Sequence, residues 1–101
     1  MSSTTEPDRL IHPPARLRLM TIASSVDEIE FVTLRERLDL SDSVLSKHLT
    51  VLTEAGYVQT RKGSHDGRRT TWVTGTRKGR RALQRHVAAL REMIALVPED
   101  D

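Results

Sequence analysis

The stretch DLSDSVLSKHLTVLTEAGYV, residues 39–58, decides how the rest of this 101-residue chain is read. Within it Leu45, His48, Leu49 and Leu52 fall at i, i+3, i+4 and i+7, one face of an α-helix. Ser41 stands ahead of that run as an N-cap, and Asp42 sits where the helix dipole favours an anion. Ala55 ends the helix, Gly56 supplies the left-handed residue after it, and Tyr57 then folds back on Leu52 in a Schellman arrangement. Asp39–Leu40–Ser41 is a tight turn from an earlier helix, and Asp39 tolerates the left-handed backbone such a turn asks for. The other face carries Ser43, Ser46, Lys47, Thr50 and Glu54. Two readings fit so lightly dressed a surface. It is an ordinary solvated face, or it is kept thin so that the helix enters the major groove of double-stranded DNA, where hydroxyls and a lysine meet base edges and phosphates. His48 lies beside the apolar stripe, half-buried, with a ring nitrogen left for backbone or phosphate.

The residues that follow weigh on that choice. YVQTRK (57–62) and RTTWVT (69–74) have strand composition, and GSHDGR (63–68) between them holds Asp66–Gly67, a strong tight-turn signal. The hairpin tip, around Gly63 and Gly67, is surrounded by Arg61, Lys62, His65, Arg68 and Arg69. Arginines there reach phosphates or a minor groove. Arg68 and Arg69 alternate across the strand, so only one of them faces DNA directly. Trp72 and Tyr57 are assigned to the base of the hairpin as core. Thr76 caps a last helix that opens on Arg77, Lys78, Arg80 and Arg81, cations at the end where the dipole disfavours them. Phosphate contact by these residues and the Thr76 hydroxyl is one explanation; pairing with the acidic first part of the chain is the other. Net charge is only +2, yet residues 61–85 hold nine Lys/Arg against the single acid Asp66. Such a block implies a polyanion partner or a solvated basic face.

The last helix continues through Leu83, Val87, Leu90, Ile94 and Val97, a 4-3-4-3 spacing widened by Ala82, Ala89, Met93 and Leu96. That is more apolar surface than one small domain covers. Pairing with a second copy, helped by Leu17 and Met20 of the first helix, is expected; packing against the first helix within one chain is the alternative. The first helix starts near Pro13–Pro14, with Ala15, Leu19, Ile22 and Val26 on one side and Leu17 and Met20 on another. DEIEF (27–31) reads as a short strand and residues 32–38 as a short helix with Leu34 and Leu38 inward. Residues 1–8 read as a disordered tail, 9–97 as one domain and 98–101 as an acidic tail.

Composition excludes several classes. Hydrophobic residues make up 37% and aromatics 3%, enough for a single small core. The absence of cysteine rules out disulfides and thiolate metal sites. His12, His48, His65 and His86 have no ligand spacing on a helix, so no metal site within one chain and no cofactor is expected. No glycine-rich phosphate loop and no nucleophile with a neighbouring base is present, which argues against an enzyme. No apolar run approaches the roughly 18–20 residues that span a bilayer, and the polar N-terminus is not a signal peptide, so the expectation is a cytoplasmic protein without a membrane contact. No pattern implies a small-molecule effector.

The order of elements is helix, short strand, helix, tight turn, helix, hairpin, helix. This is a mainly α fold with a small β-hairpin wing, the winged helix-turn-helix. The chain resembles the short single-domain members of the MarR/ArsR-type winged-helix transcriptional regulators. HPPARLRLM (12–20) resembles their opening helix, with Arg16 at the family's arginine. LSDSVLSKHLTVLTEAGYV (40–58) resembles the recognition helix running into the wing, GRRTTWVTGTRKGRRAL (67–83) the second wing strand and the next helix, and HVAALREMIAL (86–96) the dimerising end. Asp39 stands where such turns often have glycine. The missing cysteines mean that thiolate metal sensing is not inherited from the likeness. The resemblance implies a homodimer that binds double-stranded DNA sequence-specifically. The recognition helix, residues 42–55, would enter the major groove through Ser43, Ser46, Lys47, His48 and Thr50. The wing, residues 61–69, would lie on backbone or minor groove. Two-fold symmetry then gives a pseudo-palindromic site with half-sites about 10 base pairs apart. The competing reading is a winged-helix protein-interaction module that docks its basic surface on an acidic partner.

Overall fold

The computed structural model describes residues 6–100. Its elements are α1 (Pro14–Ser24), β1 (Ile29–Glu30), α2 (Phe31–Leu38), α3 (Asp42–Glu54), β2 (Val58–His65), β3 (Arg68–Gly75) and α4 (Arg77–Ala95). The helix-turn-helix forms at the residues that mark it. Asp39 ends α2 in the left-handed region at φ 55°, and the Ser41 hydroxyl accepts the Val44 N–H at 3.2 Å to cap α3. At the far end Gly56, at φ 79°, donates to the Thr53 carbonyl, and Tyr57 donates to the Leu52 carbonyl, both at 2.9 Å. These are the two bonds of a Schellman motif, and they turn the chain directly into the wing.

The sheet is antiparallel with order β1-β3-β2, Ile29 facing Val73 and Val58 facing Gly75. Asp66 and Gly67 both have positive φ, 51° and 78°, and make a two-residue hairpin turn. The strands run to His65 and Arg68, so the wing tip is tighter than the six-residue loop expected from the sequence. Gly63 therefore lies within β2. A Cβ there would sit 2.8 Å from Arg61 Nη1 and 3.0 Å from Trp72 Cδ1, so the missing side chain makes room for those two. Trp72 is half-buried on the wing itself, opposite Arg61, and not in the core at its base.

The core is aliphatic. Leu34 and Leu38 of α2, Leu45, Leu49 and Leu52 of α3, and Ile29, Val58 and Val73 of the sheet close around Leu19, Met20 and Ala23 of α1. The fully buried residues of α1 are thus Leu19, Met20 and Ala23, while Ile22 and Val26 of one expected side and Leu17 of the other pack against the core only in part. Two close approaches set that rotation. A Cβ on Gly75 would lie 3.1 Å from the Ala23 carbonyl, and one on Gly79 would lie 2.9 Å from Met20 Cε. Met20 is consequently fully buried within the single chain and has no surface left for a partner, contrary to its expected place in the dimer interface.

The inward face of α4 also differs from expectation. Gly79, Ala82, His86 and Ala89 are buried, while Leu83, Val87 and Leu90 lie half-buried on its flank. Small residues let α4 close tightly, and a Cβ on Gly79 would run into the Tyr57 carbonyl oxygen. Beyond Ala89 the helix leaves the domain. Ile94 and Val97 are each 66% exposed and Leu96 83%.

At the other end, ordered structure begins before residue 9. Part of the expected tail, residues 1–5, lies outside the described residues, but Asp8 is held firmly. Its N–H donates to His86 Nδ1 at 2.8 Å, and its carboxylate accepts from the Tyr57 hydroxyl at 2.6 Å and from the Leu10 N–H at 2.8 Å. Ile11, just after, is fully buried. No helix among the described residues is long and apolar enough to cross a membrane.

Candidate nucleic-acid interface

Ser43, Ser46, Lys47 and Thr50 are all exposed on the outer face of α3. Leu45, Leu49 and Leu52 hold the opposite face in the core, so this surface is presented on a fixed helix. Thr50 donates its hydroxyl hydrogen to the Ser46 carbonyl at 2.9 Å, which leaves its lone pairs free to accept. His48 is different. It is half-buried, and burial together with the Arg16 charge on α1 pushes its pKa below the ordinary histidine value. Its half-burial sets it apart from the four residues of the open face.

The wing has two faces with different chemistry. Strand alternation puts Thr60, Lys62 and Ser64 of β2 on the same face as Arg69 and Thr71 of β3. This face looks toward α3. Ser46, Thr50 and Thr53 of the helix and Thr60, Lys62 and Thr71 of the wing line one concavity of about 550 Å³. Lys62 Nζ donates to Thr71 Oγ1 at 3.2 Å across the strands, so an ammonium and several hydroxyls meet there, with Asp42 and Glu54 of α3 in the same lining.

The reverse face carries Arg61, His65, Arg68, Thr70 and Trp72. Here acids beside and within β1 engage the cations. Arg61 Nη2 donates to both Glu28 carboxylate oxygens, at 2.9 and 3.0 Å, and its guanidinium lies 5.6 Å from the Trp72 ring centroid. His65 Nε2 is 3.7 Å from Glu30 Oε1 and 3.4 Å from Asp66 Oδ2, with its ring edge-on to Trp72. The Thr70 hydroxyl donates to Glu30 at 2.8 Å. Thus Arg61, through Glu28, and Thr70, through Glu30, brace the wing against β1, with His65 packed beside them. Lys62, Arg68 and Arg69 are exposed and make no ion pair among the described residues. Of the alternating pair, Arg69 shares the α3-facing side and Arg68 the braced side.

At the start of α4 the Thr76 hydroxyl is already doubly engaged, accepting from the Gly79 N–H at 3.0 Å and donating to the Gly56 carbonyl at 2.6 Å. It serves as a cap and joint and is not free for a phosphate. Arg77 and Lys78 are exposed. Lys78 folds back over the α3–β2 junction, with Nζ 6.0 Å from the Tyr57 ring centroid. Tyr57 is itself locked: burial first, then the hydrogen bond to Asp8, push its pKa up to about 12.

Sequence reasoning missed several contributors. Arg35 of α2 donates to Asp42 Oδ1 at 2.6 Å, an ion pair spanning the turn of the helix-turn-helix. Its residues are seven apart in sequence and in different helices, so no periodicity reveals it. His86 is fully buried, with Nδ1 accepting from Asp8 and its ring edge-on to His12 at 5.5 Å. Gly79 carried a readable signal, a lone glycine in the first turn of a helix, which marks a close backbone approach. No group of three or more His, Cys, Asp or Glu suited to a metal ion occurs among the described residues.

Comparison with known proteins places this geometry. The family described as a winged helix DNA-binding domain matches residues 15–94. The chain is 32% identical over 79 residues to an uncharacterised protein of Methanocaldococcus jannaschii, covering 78% of this chain and 86% of that one. In three dimensions it is similar to a transcriptional regulator homologue from Pyrococcus horikoshii, with TM-score 0.81, 28% identity and 87% of each chain covered. It shares its fold with ZitR, a zinc-responsive MarR family member of Lactococcus lactis, at TM-score 0.65 and 16% identity, covering 94% of this chain and 63% of that one.

Proposed function

The chain belongs to the winged helix DNA-binding family, and we propose that it is a MarR-type transcription regulator that engages DNA in a specific way. The outer face of α3 lies in the major groove with Ser43, Ser46, Lys47 and Thr50 toward base edges and phosphates. The DNA strand beside it runs through the concavity between α3 and the wing. Lys62 and Thr71 meet its phosphates there, and Arg69 extends the contact toward the tip. Arg77 stands further along the same backbone. The observation that carries this reading is that one open concavity is shared by the light face of α3 and the Lys62–Thr71 face of the wing.

The working unit in this reading is a homodimer. Met93 and Ile94 at the end of α4 and Leu96 and Val97 just past it are exposed, an apolar surface that nothing among the described residues covers. In this reading Leu83, Val87 and Leu90 of α4 and Leu17 of α1, all half-buried, add to it. A two-fold pairing of these ends presents two recognition helices to half-sites about 10 base pairs apart.

Selection of bound sites from random duplex DNA, followed by anisotropy titration at several salt concentrations, tests the reading. An enriched pseudo-palindrome with affinity falling steeply with salt is the expected result. A pool that stays random, or binding indifferent to salt, overturns it.

A further inference from the structure

We infer that Asp42 is a base-reading residue of this interface, with Arg35 as the group that positions it and offsets its charge. The inference rests on the DNA-binding reading above. Asp42 is the first residue of α3, and the N-terminal residues of a recognition helix approach base edges most closely. It lines the same concavity as Ser46, Thr50 and Lys62, and its side chain is 70% exposed. A bare carboxylate in that place would be repelled by the phosphates of DNA. Arg35 removes most of that objection. Its Nη1 donates to Asp42 Oδ1 at 2.6 Å and its Nη2 lies 3.8 Å from Glu36 Oε2, so a counter-charge shared with Glu36 sits directly beside the Asp42 carboxylate. The N-terminal end of the α3 dipole acts in the same direction.

The pair occupies one carboxylate oxygen. No hydrogen bond or ion pair among the described residues engages Oδ2. An ionised carboxylate accepts hydrogen bonds and donates none. In the major groove the donors it can meet are the exocyclic amines, N4 of cytosine and N6 of adenine. At the same spot guanine O6 and thymine O4 present lone pairs, which an acceptor-only group rejects. Asp42 therefore selects an amine-bearing base at one position of each half-site. An asparagine there can also donate, so it would no longer reject guanine O6 or thymine O4 as an acceptor-only group does, although its amide can still pair with adenine N6 and N7.

The test is site selection from random duplex DNA with the full chain and with Asp42→Asn, Asp42→Ala and Arg35→Ala, each first checked for folding by circular dichroism and thermal unfolding. The unchanged protein should enrich cytosine or adenine at one symmetric position. Asp42→Ala should lose the preference there, by about five- to tenfold in relative affinity, and Asp42→Asn should lose any preference for cytosine, with the other positions intact in both. Arg35→Ala should keep the preference but bind all sites more weakly. If Asp42→Ala folds normally and selects the same site with the same preference at every position, the inference is overturned. Failure of the unchanged protein to select any site would instead overturn the DNA-binding reading beneath it.

Discussion

At the scale of single residues, neighbours decide which cations of a basic segment are available. Arg61 and Lys62 are adjacent in β2, yet Arg61 is bound to Glu28 and stacked on Trp72, while Lys62 faces the recognition helix beside Thr71. Lys62→Ala should lower affinity for every DNA sequence and reduce the slope of log affinity against log salt by about one. Arg61→Ala should leave that slope unchanged. The slopes from anisotropy titrations read both, and equal losses for the two variants would show that the β1 acids do not sequester Arg61. His86 gives a second residue-scale prediction. Burial first, then the nearby His12, hold its folded pKa below the unfolded value of about 6.5, and Asp8 partly opposes them. The unfolded chain therefore takes up the proton first as pH falls. Stability should be full above about pH 7 and should decline below about 6.5. His48, depressed by burial and Arg16, acts in the same direction. Urea unfolding at pH 7.5 and 5.5 measures the loss, and His86→Gln should make it smaller.

The elements depend on a few joints. The junction of α3, β2 and α4 is held by the Schellman turn at Gly56, by Thr76 bonding both Gly56 and Gly79, and by the absence of a side chain at Gly79. A methyl group at Gly79 has to displace the Tyr57 carbonyl, so Gly79→Ala should cost about 1–3 kcal/mol despite a gain in helix propensity. Thermal unfolding checks this, and a neutral or stabilised variant would mean that α4 slides without penalty. The same joint positions the wing relative to the recognition helix. A destabilised Gly79→Ala should therefore also bind its selected site more weakly while remaining helical.

At the scale of the whole molecule, the free end of α4 is the feature a single chain leaves unexplained. Ile94 is exposed and touches no core, so Ile94→Arg tests association without disturbing the fold. Light scattering should report a monomer for that variant and a dimer for the unchanged chain, and the variant should bind one half-site weakly with no preference for a palindrome. Leu90→Arg is a harsher change because Leu90 is half-buried within one chain. The charge pattern is also a property of the whole molecule. Acids around β1 neutralise one face of the basic wing and leave the other open, so a segment of uniform charge becomes a surface with one sided electrostatics.

Local signals in the amino-acid sequence determined the helix-turn-helix, its caps and the hairpin turn. Ser41, Asp39, Gly56 and Asp66–Gly67 act within a few residues of themselves, and their backbone preferences need no distant partner. The hydrophobic stripe of α3 was legible for the same reason, and with it the open face of Ser43, Ser46, Lys47 and Thr50. The rotation of α1 and α4 was not legible. The first is apolar on two sides and the last over one broad face, and close approaches at Gly75 and Gly79 decided which part turned inward. That is why Met20 became core and Leu90 flank. The wing illustrates the same division. Sequence alternation separated Arg68 from Arg69, but only the docking of β1 against β3 brought Glu28 and Glu30 to one face and left Lys62 and Arg69 on the other. Pairings such as Arg35–Asp42 and Asp8–His86 join residues from different elements, so they exist only once the core has set the distance between them.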